Sequence, residues 1–143
     1  MLDSLETKLN YYFRSQELLA ESLTHRSYIN EHPGGALEHN ERLEFLGDAV
    51  LELAVTEDLY ARFPQYNEGT LTSLRAALVN YQMLAGIARE LGIEACLRLS
   101  KGEAKDIGRA REVILANAIE AVIGAIYLDQ GYEAARLFIS RVV

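Results

Sequence analysis

Hydrophobic residues recur every three or four positions along most of the chain, which is the period of an amphipathic helix. No segment keeps the strict alternation of a half-buried strand, so the sequence predicts an all-α fold without a sheet. The predicted helices run over Leu5–Phe13, Ser15–His25, Asn40–Phe63, Thr70–Leu91, Glu112–Asp129 and Tyr132–Val143, with a short helix or turn at Ile93–Leu99.

Residues at the predicted helix ends support these boundaries. Ser15 and Asn40 are typical N-cap residues, Pro64 ends the helix before it, and Gly92 suits a C-terminal cap. Two polar segments, residues 29–35 and 100–111, are predicted as loops, the first because it is rich in Asn, Pro and Gly.

The 143 residues suit one domain with one core, and we expect a single domain over 1–143. The longest nearly apolar run, Val113–Leu128, is short for a membrane span and contains Asn117 and Glu120, so it predicts a buried helix. Cys96 is the only cysteine, and the first residues lack a signal-peptide pattern. These features predict a cytoplasmic protein without a membrane partner.

The net charge sets a condition on any nucleic-acid partner. Fourteen Lys and Arg stand against 21 Asp and Glu, which gives a formal charge of -7. This sign disfavours a simple phosphate-binding surface. A nucleic-acid site would therefore have to be local. Acidic clusters that hold divalent cations would reconcile the negative net charge with a nucleic-acid partner.

Three carboxylates share one face of the predicted Asn40–Phe63 helix. Helical spacing puts Glu41, Glu44 and Asp48 within roughly a 60-degree wedge. The only nearby cation, Arg42, lies on a different face. The hydrophobic residues expected on the opposite, core-facing side are Leu43, Leu46, Val50 and Leu53. On this helix alone the wedge is either a solvated acidic stripe or one half of a cation site.

The apolar helix supplies the second half of such a site. Asn117 and Glu120 share a face, because they are three residues apart. Burying a lone carboxylate costs roughly several kcal/mol of folding free energy unless the carboxylate is paired or binds a metal. One interpretation is that Arg109, Arg111 or backbone groups satisfy the pair. The other is that both side chains face Glu44 and Asp48 across a helix pair, forming an all-oxygen cage that favours Mg²⁺ or Mn²⁺ over Zn²⁺.

Several segments resemble the conserved blocks of the ribonuclease III family. The stretch from Asn40 to Val50 (NERLEFLGDAV) resembles the family signature. Residues 23–28 (LTHRSY), 68–76 (EGTLTSLRA), 101–103 (KGE) and 114–129 resemble further blocks, in the same order and spacing. The resemblance covers essentially the whole chain as a catalytic domain, and we expect no C-terminal double-stranded-RNA-binding domain within it.

The resemblance implies an all-helical, homodimeric, Mg²⁺-dependent endoribonuclease, in which Mn²⁺ substitutes. It implies cleavage of double-stranded RNA, in rRNA and mRNA processing, to 5′-phosphate and 3′-hydroxyl ends with short 3′ overhangs. By position, Glu44, Asp48 and Glu120 are metal-site residues, with Asp48 and Glu120 as the catalytic pair. Glu41 and Glu68 match acidic positions of lesser or substrate-related importance. Phe45 matches an aromatic residue that enters a socket in the partner subunit.

Asn117 departs from the family pattern, which usually has Asp there. Asn keeps one oxygen ligand but removes a negative charge, so cation affinity should fall. A natural variant that still cleaves, an engineered change that slows catalysis, and a catalytically retired member are all compatible with it. The alternative function is accordingly a weakened or retired RNA-binding or ribosome-associated module of the same fold.

Further residues are candidates for contact with RNA. Lys101, Lys105, Arg109 and Arg111 form the densest basic run and contact phosphates in one interpretation, or line a solvated loop in the other. Gln65 precedes Glu68 and is a weaker candidate. Duplex RNA should be recognised by its backbone and 2′-hydroxyls, because side chains cannot enter its narrow major groove.

Overall fold

The computed structural model describes residues 2–143, and this part of the chain is helical with no strand. Its α-helices are α1 (Leu2–Leu9), α2 (Gln16–Ser22), α3 (Arg26–Glu31), α4 (Glu41–Arg62), α5 (Glu68–Leu78), α6 (Tyr81–Glu90), α7 (Lys101–Lys105), α8 (Arg109–Gln130) and α9 (Tyr132–Val142). A 3₁₀ turn covers Glu94–Cys96, and an isolated bridge joins Thr24 to Arg98. The prediction of an all-α fold is confirmed.

Helix α8 is the centre of the fold, because it is buried on nearly every side. Helices α2, α4, α6 and α9 pack around it, and the pair α4–α8 has the most extensive contact. The apolar sequence of α8 explains this position, since a helix that is hydrophobic all round must be surrounded by others. No helix within residues 2–143 is long and apolar enough to cross a membrane.

The predicted helix over Thr70–Leu91 is two helices. Asn80 ends the run, because its side-chain oxygen accepts a hydrogen bond from the Met83 N–H and so caps α6. The amide of the same side chain donates to the carbonyl oxygens of Ala76 and Ala77 at the end of α5. One asparagine side chain therefore makes hydrogen bonds to the end of α5 and to the start of α6. The spacing of hydrophobic residues does not change at this break, so it gives no sign of it.

Other boundaries differ in smaller ways. Ser15 caps α2 as predicted, and Gly92 follows α6 with a φ of 78°. Asn40 stands at the start of α4, but its side chain does not cap the helix. Its amide instead donates to the Ser22 carbonyl oxygen, which ties α4 to the end of α2. The predicted loop over residues 29–35 begins inside α3, and that over 100–111 contains α7, which Ser100 caps.

Candidate active site

Two glycines bring α4 and α8 into backbone contact. A Cβ on Gly47 would overlap the carbonyl oxygen of Glu120 and lie 2.9 Å from the Gly124 backbone nitrogen. A Cβ on Gly124 would likewise overlap the Leu43 carbonyl oxygen. Only glycine permits this approach. As a result, Asp48, which follows Gly47, and Glu120, one turn before Gly124, face each other across the contact.

Glu120 and Asp48 are the pair that this approach brings together. Glu120 is 8% exposed, and its carboxyl lies within hydrogen-bonding reach of the Asp48 carboxyl. Burial, the hydrogen bond to Asp48, and the charges of Asp48, Glu44 and Glu52 raise the pKa of Glu120 to about 9. The site therefore strongly favours either a proton or a cation at Glu120.

Glu44 borders the same pair from α4. Burial, together with the charges of Glu41 and Asp48, raises the pKa of the half-buried Glu44 carboxyl. Glu41 differs, because it accepts a 2.6 Å hydrogen bond from Arg26 in an exposed ion pair. The expectation that Arg42 is the only nearby cation was wrong, since α3 brings Arg26 to the wedge.

No arginine neutralises buried Glu120 or the exposed Asp48 beside it. None of the ion pairs within residues 2–143 includes Glu44, Asp48 or Glu120. Arg111, which the sequence offered as a partner for Glu120 or a phosphate, is buried. It pairs with Glu94 at 2.9 Å and donates to the carbonyl oxygens of Glu103 and Ala104. Both interpretations of Arg111 were wrong: it holds the 3₁₀ turn and α7 against α8.

The donor set suits a hard cation, although the cage itself is not formed. In the described chain, no three acidic, histidine or cysteine side chains are arranged to hold an ion as they stand. Asp48 and Glu44 instead lie near enough to Glu120 to raise its pKa. Carboxylate oxygens without a balancing cation are the ligands that Mg²⁺ and Mn²⁺ prefer. The four-residue cage therefore stays a prediction that requires side-chain rotation.

The remaining candidates lie on α4, α5, α7 and α8 and in the turn before α5. Asn117 is half-buried, one turn before Glu120 on α8. Phe45 is 83% exposed on α4, beside the acidic wedge. Glu68 is in the first turn of α5, after the exposed Gln65. Lys101 and Arg109 are exposed at the first positions of α7 and α8.

Sequence reasoning missed Gly47, Gly124, Glu52 and Arg26. An isolated glycine inside a strongly hydrophobic helix costs about 1 kcal/mol relative to alanine, and such a cost signals close packing. Gly47 and Gly124 both carried this signal. Glu52 lies one turn after Asp48 on α4, so helical spacing could have added it to the acidic face. Arg26 reaches Glu41 from α3, and spacing within one helix does not contain that information.

Sequence comparisons identify the family of the chain. A family model described as "Ribonuclease-III-like" matches residues 15–143. Ribonuclease 3 of Oleidesulfovibrio alaskensis is 53% identical over 135 residues, which cover 94% of this chain and 58% of that protein. Ribonuclease 3 of Carboxydothermus hydrogenoformans is 51% identical over 140 residues, covering 98% of this chain and 60% of that protein. The chain belongs to the ribonuclease-III-like family, as the sequence resemblance indicated.

Solved structures give the same result. The nuclease domain of ribonuclease III from Campylobacter jejuni superposes with a TM-score of 0.90 at 42% identity, covering 99% of this chain and 95% of that one. Dicer from Pichia stipitis matches with a TM-score of 0.65 at 28% identity, over 92% of this chain and 54% of that one. The chain therefore matches nearly the full length of that nuclease domain, and spans 60% or less of the two curated relatives.

Proposed function

We propose that this chain is the nuclease domain of a divalent-cation-dependent endoribonuclease that cuts double-stranded RNA. The products are 5′-phosphate and 3′-hydroxyl ends with short 3′ overhangs, formed in rRNA and mRNA processing. Family membership supports the reaction class, because the related proteins are named Ribonuclease 3. The observation that carries the proposal is the meeting of buried Glu120 with Asp48, with no arginine to neutralise either.

Four side chains perform the proposed chemistry. Glu44, Asp48 and Glu120 hold Mg²⁺, or Mn²⁺ in its place, with the Asn117 amide oxygen as a neutral fourth ligand. When bound, the cation lowers the pKa of a coordinated water and neutralises charge on the phosphate. Because Glu120 binds a proton up to about pH 9, cation binding displaces that proton, and metal affinity rises with pH.

The substrate and the partner follow from the surroundings of the site. Glu41, Glu68, Gln65, Lys101 and Arg109 are exposed, so they can contact RNA backbone around the acidic pair. The nuclease domain from Campylobacter jejuni has a flexible region involved in dimer formation, and we propose a homodimer for this chain with Phe45 in the interface. The expected cytoplasmic location stays a prediction.

The test is cleavage of a perfect RNA duplex with and without Mg²⁺. The native chain should cut in Mg²⁺ and stop when a chelator is added. Glu120→Gln should lower the rate about a hundredfold or more, because metal assistance is worth several kcal/mol and each 1.4 kcal/mol is about tenfold. Glu90→Gln removes an exposed carboxylate at the end of α6 and should leave the rate unchanged.

Asn117→Asp separates an active from a retired enzyme. Restoring a fourth carboxylate should lower the Mg²⁺ concentration needed for half-maximal rate, since charge count sets cation affinity. If the native chain does not cut and Asn117→Asp does, the native chain is a retired member. If neither cuts in Mg²⁺ or Mn²⁺, the nuclease proposal fails.

A further inference from the structure

A groove between α4 and α5 carries polar groups outside the acidic pair, and of these only Glu68 is already among the proposed RNA contacts. Its volume is about 430 Å³. Leu59 and Leu71 form its apolar floor, and the other lining residues carry hydroxyl, carboxylate or guanidinium groups. These polar residues are Thr56, Tyr60, Tyr66, Glu68, Thr72 and Arg75.

Helical spacing aligns these residues along the groove. On α5, the positions of Glu68, Thr72 and Arg75 differ by four and seven, so they form one stripe about two turns long. On α4, Thr56 and Tyr60 are one turn apart and form the facing wall. The groove therefore presents a cation at the Arg75 end and a carboxylate at the Glu68 end, with hydroxyls between.

Arg75 has spare hydrogen-bonding capacity. An arginine carries five N–H donors, and within residues 2–143 only one of those of Arg75, on Nη1, makes a hydrogen bond, 2.8 Å to the Thr56 hydroxyl. Its Nε lies 3.9 Å from the Glu52 carboxylate, which is too long for a hydrogen bond. The side chain is 32% exposed, so the free edge of the guanidinium is accessible from solvent.

The groove adjoins the active site. Glu52, which neighbours Arg75, lies one turn after Asp48 on α4, and Thr56 lies one turn further. From Asp48 to Thr56 the helix rises about 12 Å. Phosphates on one strand of a nucleic-acid duplex are spaced on the order of 3.4 Å along its axis. A strand at the acidic pair can therefore reach Arg75 within a few nucleotides.

We propose that this groove binds the backbone of the same RNA strand a few nucleotides from the cut, with Arg75 as the phosphate ligand. Arginine suits this role, since its fork matches phosphate geometry. The hydroxyls and Glu68 are suited to 2′-hydroxyl groups, which both donate and accept hydrogen bonds. This inference rests on the proposed function, because it requires duplex RNA at the acidic pair.

The test measures duplex affinity as a function of salt in the Glu120→Gln background, in which cutting is slow, at one fixed Mg²⁺ concentration. Adding Arg75→Gln should weaken binding about three- to tenfold and make the log–log salt slope shallower by about one unit, the value for one lost phosphate contact. Arg75→Lys should keep most of the slope, because a point charge still pairs with phosphate.

Two variants separate this role from a structural one. Thr56→Val removes the hydrogen-bond partner of Arg75 but keeps its charge, so the salt slope should not change. Arg62→Gln removes an equal charge on α4 outside the groove, where Arg62 pairs with Asp58, and should also leave the slope unchanged. If Thr56→Val loses as much affinity and slope as Arg75→Gln, the arginine only braces α5, and the inference is overturned.

The outcomes also distinguish this inference from the proposed function. If the Glu120→Gln chain binds the duplex and Arg75→Gln leaves its slope intact, the groove assignment alone is wrong. If Arg75→Gln sediments as a smaller species than the Glu120→Gln chain, the groove holds a second copy of the protein rather than RNA. If the Glu120→Gln chain shows no duplex binding at all, the proposed function fails first.

Discussion

At the residue scale, the proposed chemistry depends on the buried carboxyl of Glu120. Glu120 is buried in the apolar helix α8, where an ionised carboxylate without a partner lowers the free energy of unfolding by roughly several kcal/mol. A purely structural position would take a hydrophobic residue at lower cost. Its neighbours Asp48 and Glu44 increase the cost instead of relieving it. Such an arrangement is typical of functional sites, where perturbed pKa values cluster.

The first prediction concerns pH and Glu120. Its pKa is raised from 4.5 to about 9, so between these values the folded chain holds a proton that the unfolded chain releases. The contribution of Glu120 to stability is therefore fullest below about pH 4.5 and decreases as pH rises towards 9, by at most about 1.4 kcal/mol per pH unit. In a chelator, the stability of Glu120→Gln should depend less on pH, and this variant should be more stable than the native chain at pH 8. Urea unfolding at pH 5 and pH 8 measures this, and parallel losses in both chains would contradict it.

The second prediction concerns Asp129, which anchors the N-terminal segment to the end of α8. Its carboxylate accepts hydrogen bonds from the Tyr11 hydroxyl at 2.8 Å, the Arg14 N–H at 3.0 Å and the Ser15 N–H at 2.9 Å. Burial raises the pKa of Asp129, but these hydrogen bonds outweigh it and lower the pKa below 3.8. The stabilisation is thus complete above about pH 4 and is lost as pH falls through the lowered value.

Asp129→Asn should cost about 1–3 kcal/mol at pH 7, the range for hydrogen bonds to a charged group. The difference from the native chain should shrink at pH 3 and below. Urea unfolding at both pH values measures the two differences. Asp58→Asn, which breaks an exposed ion pair with Arg62, is the matched control and should cost under about 1 kcal/mol. An equal loss of stability for both variants at pH 7 would show that the hydrogen bonds of Asp129 stabilise the fold no more than an exposed ion pair does.

At the scale of elements, the hydrophobic period predicts helices well and their ends less well. The helix through Asn40–Phe63 and the one ending at Asp129 appear nearly as predicted, because each buries a broad apolar face. The break at Asn80 was missed, since a cap depends on one side chain and leaves the period intact. Leu53, expected in the core, is 51% exposed, because close packing at Gly47 turns a different side of α4 towards α8.

The sequence predicts which residues of the candidate site share a helix face, but it does not predict that the two faces meet. Spacing places Glu44 and Asp48 on one face and Asn117 and Glu120 on another, and the hydrophobicity of α8 indicates that Glu120 is buried. That the two faces meet depends on tertiary packing, which the family resemblance supplied and the residues alone did not. The ion pair of Glu41 with Arg26 comes from α3, whose helix falls partly in a predicted loop.

The third prediction tests the helix contact that builds the site. Gly47→Ala gains about 1 kcal/mol of helix propensity but places a Cβ against the Glu120 carbonyl. Because the obstacle is backbone, α4 and α8 must separate, and we expect a net loss of about 2–4 kcal/mol. Gly86→Ala is the matched control: Gly86 lies within α6 with open space around its Cβ position, so this variant should gain about 0.5–1 kcal/mol.

Urea unfolding of both glycine variants separates packing from propensity. Gly47→Ala should also lose cleavage activity beyond its loss of stability, because Asp48 and Glu120 move apart with the helices. Activity is therefore assayed at a temperature where the variant is fully folded. A stable and active Gly47→Ala chain would mean that the backbone contact between α4 and α8 is not required for the site.

At the scale of the whole molecule, the net charge bears on the proposed RNA substrate and the exposed Phe45 bears on the proposed homodimer. The -7 charge disfavours RNA at long range, so the proposed RNA binding requires local cations and a shaped surface. Phe45 is 83% exposed next to an open groove of about 590 Å³, lined in part by Leu46 and Leu128. A protruding ring beside an apolar groove is self-complementary under two-fold symmetry.

The fourth prediction follows from that geometry. If each Phe45 enters the groove of the other chain, burying one phenyl ring gains about 1.5–3 kcal/mol, and the symmetric pair gains twice this. Phe45→Ala should therefore weaken the dimer roughly a hundredfold or more, since 1.4 kcal/mol corresponds to a factor of ten. Sedimentation over a range of concentrations measures the change, with Tyr81→Ala, an aromatic residue 57% exposed on α6, as the control.

Leu128→Ala, which alters only the groove, should weaken the dimer in the same direction because it removes one wall of the socket. A Phe45→Ala chain that sediments as the native dimer would remove Phe45 from the interface, whereas loss of the dimer with an intact fold would make the pairing of two active sites depend on this one ring.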